Sequence, residues 1–235
     1  EYGVFRRNAK IEPMTSDVKR IPLRSATLSA SFVGEATAGT ETTQTFQQVN
    51  LVAKKLMVLS TVSNELNEDS LINLGDSVAG EVAYAFSLKE DQCGFNGDGS
   101  STFGGIVGVT HAINNVSSNA GILTLGGSDA NVANIELADF NSLMAKLPAY
   151  ADSPNCKFYM HKSVYHAAAE RLAFDKGTQT QMIFDGQGTP QLFGYPVEFS
   201  QVMASDATAD GTSADLDLRY PVLFGDLSMA CCFGD

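Results

Sequence analysis

The stretch best equipped for chemistry is "EDQCGFNGDGSSTFGGI", residues 90–106, in which Gly97-Asp98-Gly99 follows an acidic pair. A phosphate cradle of the P-loop kind needs G-x-x-x-x-G-K-[ST], and no lysine follows these glycines; G-x-G-x-x-G fails as well, because Thr102 stands where the third glycine belongs. A calcium loop needs oxygen ligands at alternate positions and a closing bidentate glutamate. Asn96 and Asp98 are followed instead by Ser100, Ser101 and Thr102, with no acid at the closing place. The stretch therefore reads as a turn in which glycines supply positive φ.

The remaining candidates are thinner. His161 and His166 are five residues apart, not the i, i+4 pair that puts two imidazoles on one helix face, and His111 stands alone. Cys93, Cys156, Cys231 and Cys232 form no C-x-x-C, and neighbours in sequence rarely bridge, so they read as reduced packing thiols. The polar loop at 205–217 carries four aspartates and could hold calcium or simply be solvated. With no G-x-S-x-G elbow, no catalytic residue, cofactor site or metal site is assigned and no enzyme is expected. A Ca²⁺-dependent small-ligand-binding protein built on the Gly- and Asp-rich loops stays as a minor alternative.

The elements around these loops show a mixed pattern. In "TLSASFV" (27–33), Leu28, Ala30 and Phe32 alternate with polar residues as a half-buried strand would. A polar Thr-rich tip (34–45) leads into "FQQVNLVAKKLMVLSTVS" (46–63), where Val49, Leu51 and Ala53 alternate again, so a long two-stranded arm is expected. A lone hairpin is marginal in water and needs a covering surface. "SNELNED" then carries a capping residue and early acids, and Leu71, Leu74, Val78, Val82 and Ala85 recur at helical spacing, predicting one helix over about 70–92. Strands are expected at "HAINNVS" and "GILTLG", a helix from Ile135 to Leu147 before Pro148, a strand at 156–161, a helix at 163–174, and strands at "GYPVEFS" and "YPVLFGD". The class is α+β.

The chain has 235 residues, 44% of them hydrophobic, enough for a substantial core in one domain or two modest ones. No run approaches the eighteen apolar residues of a membrane span, and "EYGVFRRNAK" lacks the apolar stretch of a secretory leader. The net charge is −12, yet residues 1–24 hold six basic and three acidic side chains. A basic arm precedes an acidic body: either a solvated surface with a chance cluster, or an arm that docks on the body of another copy. The acidic body disfavours binding to nucleic-acid phosphates.

Taken in order, these segments resemble the major capsid proteins of tailed bacteriophages, the fold named after phage Hong Kong 97. The match runs through Ser63, Glu65, Leu66, Glu68, Asp69 and Ser70 before the helix, Glu90, Asp91, Gly97, Asp98, Gly99, Gly105 and Ile106 in the glycine loop, and Gly194, Pro196 and Val197 in a later strand. Each motif is short and degenerate; their order and spacing over nearly the whole chain carry the likeness.

The resemblance implies an N-terminal arm remnant at 1–20, an extended β-hairpin loop at 21–60, a peripheral domain with a spine helix at 61–106 completed by 221–235, and an axial domain at 107–220. It implies a structural shell protein of a phage or prophage, assembling in the bacterial host cytoplasm as pentamers and hexamers around double-stranded DNA and forming part of the virion. Scaffolding and portal proteins would be further partners, and an encapsulin-type nanocompartment shell is the nearest alternative.

Candidate contacts with other copies are Arg6, Arg7, Arg20 and Arg24 of the basic arm. The extended loop adds Leu28, Ala30, Phe32, Glu35, Lys54 and Lys55. The family's chain usually runs on past the segment matching "FGDLSMACCFGD", so a fragment of a longer chain is expected. The type member cross-links its shell through a lysine of the extended loop; here no lysine lies between Lys19 and Lys54, which points against that route.

Overall fold

The computed structural model describes residues 3–26, 28–35, 38–61, 74–115, 121–123, 132, 135–172, 190–205 and 220–235. The chain divides into two compact units, Glu1–Lys10 with Leu56–Cys232, and Ile11–Lys55 with Phe233–Asp235.

The first unit opens with a five-residue helix, α1 (Val4–Asn8), and is built around a longer one, α2 (Leu74–Asn96), of 23 residues. At 1.5 Å per residue α2 is about 35 Å long. It ends at Asn96, about four residues later than the spacing predicts, and the segment meant to cap its start, "SNELNED", lies outside the described residues, as does Leu71. The expected buried stripe is displaced as well: Val78, Val82 and Ala85 are only half-buried, whereas Asp91, Cys93, Gly94 and Phe95 are buried. Periodicity marks a face but not how much of its length is covered, and cover is concentrated at the C-terminal end, where α1 packs.

Beyond the glycine loop, "HAINNVS" starts as a helix, α3 (Val109–Asn114), where a strand is expected. Tertiary contacts override the β-branched propensity here: Val109 and Thr110 are buried, and the Thr110 hydroxyl donates to the carbonyl of Phe95 at 2.7 Å. Of "GILTLG", residues 121–123 are described and form no strand. Helix α4 (Leu137–Ala145) falls inside the expected range and begins with a capping box between Glu136 and Asp139.

A four-stranded sheet follows, from β4 (Lys157–Met160), β5 (Gln191–Leu192), β6 (Tyr195–Phe199) and β7 (Val222–Gly225), in the order β5-β6-β4-β7. β4 runs parallel to β6 and antiparallel to β7, so Phe158 sits between Val197 and Phe224. Strands β5 and β6 join through Phe193-Gly194, with φ of 52° and 85°. Two positive φ values in a two-residue connection define the primed hairpin turn, which explains the glycine at Gly194. Between β4 and β5 lies α5 (Lys162–Val164), continuing as a π-helical turn Tyr165–Glu170. His161 caps it, its Nδ1 accepting from the Ser163 amide at 3.1 Å.

The core of this unit gathers Val132, Phe140, Phe158, Met160, Val164, Tyr165 and Val197. Phe158 is its centre, with the rings of Phe224, Phe140 and Tyr195 at 4.5, 6.3 and 6.4 Å. Helix α6 (Leu227–Ala230) is capped by Asp226, whose carboxylate accepts from the Ser228 amide at 2.8 Å and from the hydroxyls of Ser153 and Ser228 at 2.6 Å each. Burial alone raises the Asp226 pKa, but these donors outweigh it and hold the carboxyl below the usual aspartate range.

The second unit is an antiparallel ribbon of β2 (Val18–Ala26) and β3 (Thr45–Val52), paired from Val18↔Val52 to Arg24↔Phe46, with the register shifting between Arg24 and Ala26. The expected strand at 27–33 is not formed: residues 28–35 are irregular, and the ladder lies eight residues earlier. Alternation alone does not make a strand; the Thr-rich return at 38–44 gives Leu28, Ala30 and Phe32 no apolar cross-strand partners. At the base, the Met14 amide donates to the Asp235 carbonyl at 2.7 Å, and Lys19 pairs with Glu12 at 2.9 Å. Short strands β1 (Lys10–Glu12) and β8 (Cys232–Gly234) pair with each other. Among the described residues no helix is long and apolar enough to cross a membrane.

Candidate functional site

The glycine loop closes on itself. Gly108 donates to the Gly97 carbonyl at 2.8 Å, and Gly99 to Ile106 at 3.0 Å. A side chain at Gly97 would lie 2.5 Å from the Cys93 carbonyl and 2.6 Å from that of Ile106, so only glycine fits this crossing. Gly99, Gly104 and Gly105 take φ of 81°, 63° and 76°. Asp98, exposed, accepts from the Ser100 amide at 2.8 Å, and hydrogen bonding from Ser100 holds its pKa low. These donors and acceptors are used in making a turn.

Two of the three histidines are likewise occupied. His161 is a cap, and His166 hydrogen-bonds Glu170 one turn on. Cys93 and Cys156 are buried, and all four cysteines are free thiols. Burial pushes the Cys231 thiol up to about 11, which keeps it protonated and unreactive near neutral pH. Residues 206–219, with the Asp-rich loop, lie outside the described residues.

The acidic pair before the loop has a role that the sequence reading left open. Asp91 is fully buried, and its carboxylate accepts from three backbone amides, Gly3 at 2.8 Å, Phe5 at 2.9 Å and Val4 at 3.2 Å. These are the amides that no intrahelical partner satisfies at the start of α1. Glu90 pairs with Arg6 at 3.3 Å. Phe5 lies over Gly94 and meets Phe95 edge-on at 5.5 Å. On the other flank, Glu198 receives Arg7 at 2.7 Å and Lys157 at 2.8 Å, and Lys157 also reaches Asn8 at 2.9 Å. The available signal was a carboxylate within the run Asp91-Gln92-Cys93-Gly94-Phe95: an acid among small and apolar residues must find donors.

The expected contact residues separate accordingly. Arg6 and Arg7 pair within their own unit. Arg20 and Arg24 project from β2, exposed and without an ion-pair partner among the described residues. The alternation of the ladder puts Arg20, Pro22 and Arg24 on one face with Asn50, Gln48 and Phe46, and Ile21 and Leu23 on the other with Val49 and Gln47. Leu23 is 55% exposed, Phe46 64% and Val49 47%. Leu28, Ala30, Phe32 and Glu35 follow on the irregular stretch, all exposed, with the Phe32 ring entirely so, and Lys54 and Lys55 are exposed past β3. Large apolar side chains are thus exposed on both faces of the ribbon and on the stretch that follows β2, and exposed apolar surface of this kind marks an interaction site.

The model of the phage capsid family matches residues 1–235. Among solved structures, the chain is similar to the capsid of a native GTA particle computed with C5 symmetry, at 18% identity and a TM-score of 0.61, over 96% of this chain and 74% of that one. It is similar to a structure of Microbacterium phage Oxtober96 at 15% identity and a TM-score of 0.61, over 97% and 71% of the two chains. A structure of Mycobacterium phage Cain aligns at 15% identity and a TM-score of 0.58, over 97% and 69%. At such identities the likeness is one of fold. No match was found among curated proteins.

Proposed function

The chain belongs to the phage capsid family, and we propose that it is the repeating subunit of a closed icosahedral shell that encloses double-stranded DNA. The family and the shared fold mark it as a structural component of a virion. The observation that carries the finer reading is the ribbon at Val18–Val52, whose apolar side chains are left uncovered by the subunit that bears them. In a shell of identical subunits each ribbon is covered by a neighbour, and the cost of exposing it disappears on assembly.

In this reading 21–60 is the extended loop, 61–106 with 221–235 the peripheral domain, 107–220 the axial domain and 1–20 the remnant of an N-terminal arm. Pentamers and hexamers form in the host cytoplasm, with scaffolding and portal proteins as partners. Arg20, Arg24, Leu28, Ala30, Phe32, Glu35, Lys54 and Lys55 are the contact residues. Electron microscopy of the full-length protein tests the reading: DNA-filled or DNA-competent icosahedral particles are expected, cargo-filled particles would select the encapsulin alternative, and a protein that stays monomeric at high concentration would sink both.

A further inference from the structure

We propose that Lys157 and Asn8 are joined by an isopeptide bond formed within the folded subunit, with Glu198 carrying the protons. All three residues belong to the first unit, and the proposal does not depend on the shell reading.

The three side chains meet because two parts of that unit converge. In the parallel ladder Tyr159 pairs with Glu198, so Lys157, two residues earlier on the same face of β4, is a diagonal neighbour of Glu198. Helix α1 brings Asn8. The Lys157 ammonium donates to Asn8 Oδ1 at 2.9 Å and to Glu198 Oε1 at 2.8 Å. Asn8 Nδ2 donates to the Val4 carbonyl at 2.8 Å, which fixes the amide with its oxygen on the lysine side. Arg7 holds the other carboxylate oxygen of Glu198 at 2.7 Å. The Lys157 and Glu198 side chains are only 26% and 22% exposed, so little water competes for them.

Neither part is free to drift. Asp91 locks α1 through three amides, and Val4 and Phe5 are buried in the body's own core, Phe5 against Phe95 and Phe95 against Tyr159. A lysine nitrogen held in hydrogen-bond contact with an amide is within a short approach of its carbon, and such positioning replaces the rare encounter that makes amide exchange slow in solution. Glu198 takes a proton from the ammonium, and the freed amine attacks Asn8 Cγ. As the new Nζ–Cγ bond forms, the old Cγ–Nδ2 bond breaks. Glu198 passes the proton to the departing nitrogen, which leaves as ammonia and is protonated in solution. Lysine ammonium and asparagine amide thus give a secondary amide and one ammonium ion, with no oxidant or co-reactant. The bond would fasten α1 to β4 within a single subunit.

The test is the intact mass of the full-length protein after denaturation, for wild type, Lys157→Arg, Asn8→Ala and Glu198→Gln, with circular dichroism as the folding control. Wild type should weigh one ammonia less than its sequence, and a protease digest should contain a branched peptide joining residues 8 and 157. Lys157→Arg keeps the charge but lacks the nucleophile, and Asn8→Ala lacks the acceptor; both should show the full mass. Glu198→Gln should slow bond formation about a hundredfold, the usual size of a positioned proton carrier. Full mass in folded wild type overturns the proposal and leaves a noncovalent network of ion pairs. A mass deficit that persists in Lys157→Arg also overturns it, since it would then report cyclisation of an asparagine onto its own backbone. Bond formation unchanged in Glu198→Gln would overturn the role given to the carboxylate.

Discussion

The sheet around Phe158 and the ribbon of β2 and β3 are written in the same alphabet of alternating aromatic, β-branched and polar residues, yet they satisfy it in opposite ways. In the sheet, Phe158, Met160 and Val197 are covered by the chain's own helices. In the ribbon, Leu23, Phe46 and Val49 are left to water in the single subunit. The lesson is that hydrophobic patterning states a need for cover without naming the molecule that provides it. Where the cover is internal, folding satisfies it; where it is not, association must.

This contrast is easiest to break at its centre. Phe158→Ala should cost about 3–5 kcal/mol, the usual range for emptying a well-packed aromatic site, and denaturant unfolding of the subunit measures it. A loss under about 1 kcal/mol would mean that the sheet, like the ribbon, depends on cover from outside the chain.

Asp226→Ala sharpens the same side with a smaller effect, roughly 1 kcal/mol for a lost helix cap. Its pH dependence is an independent handle. Because the folded pKa lies below the ordinary value near 4, the carboxylate's contribution is full above about pH 5 and fades as pH falls through the folded pKa. Melting temperature followed from pH 6 down to pH 3 should therefore drop more steeply for wild type than for the alanine variant; parallel curves would show that Ser153 and Ser228 do not favour the charged form.

On the ribbon the expectation reverses. Leu23→Ala with Val49→Ala should change unfolding of the lone subunit by no more than about 0.5 kcal/mol, as for surface sites generally, while raising the concentration needed for particles severalfold. A melting loss as large as that of Phe158→Ala would show the ribbon to be part of the subunit's own core.

The smallest effect is expected from Arg20→Ala/Arg24→Ala. An exposed ion pair is worth about 0.2–1 kcal/mol, so the particle threshold should move slightly at low salt and not at high salt, where screening removes the term in both proteins. Circular dichroism should be unchanged. Equal thresholds at low salt would assign the ribbon's attachment to the apolar face alone.

How much of this was legible in the sequence follows from the same division. α4 and its stop before Pro148, the strand around Phe158 and the strand at Tyr195–Phe199 were readable because local signals agree with what the chain itself covers. The turn character of 97–106 was readable from its glycines and its missing lysine, whereas 90–96, read as part of the same turn, continue α2 instead. The strand at 27–33 was misplaced because alternation carries no information about the partner strand, and α3 was missed because burial of Val109 and Thr110 decided against local propensity. The lock at Asp91 stayed hidden because its donors are backbone amides at positions 3–5, more than eighty residues away, and backbone leaves no mark in composition.

The register of the ribbon sets a rule of parity for how this chain can vary. Between Val18 and Arg24, and between Phe46 and Val52, every side chain's face is fixed by counting in twos from its partner. One residue inserted or deleted inside either stretch would exchange Arg20 and Arg24 with Ile21 and Leu23 between the two faces of the ribbon. Length changes there are tolerable only in even steps. The irregular stretches 28–35 and 38–44 obey no such count, so natural variation in length should collect there while the flanking ladder stays invariant in number.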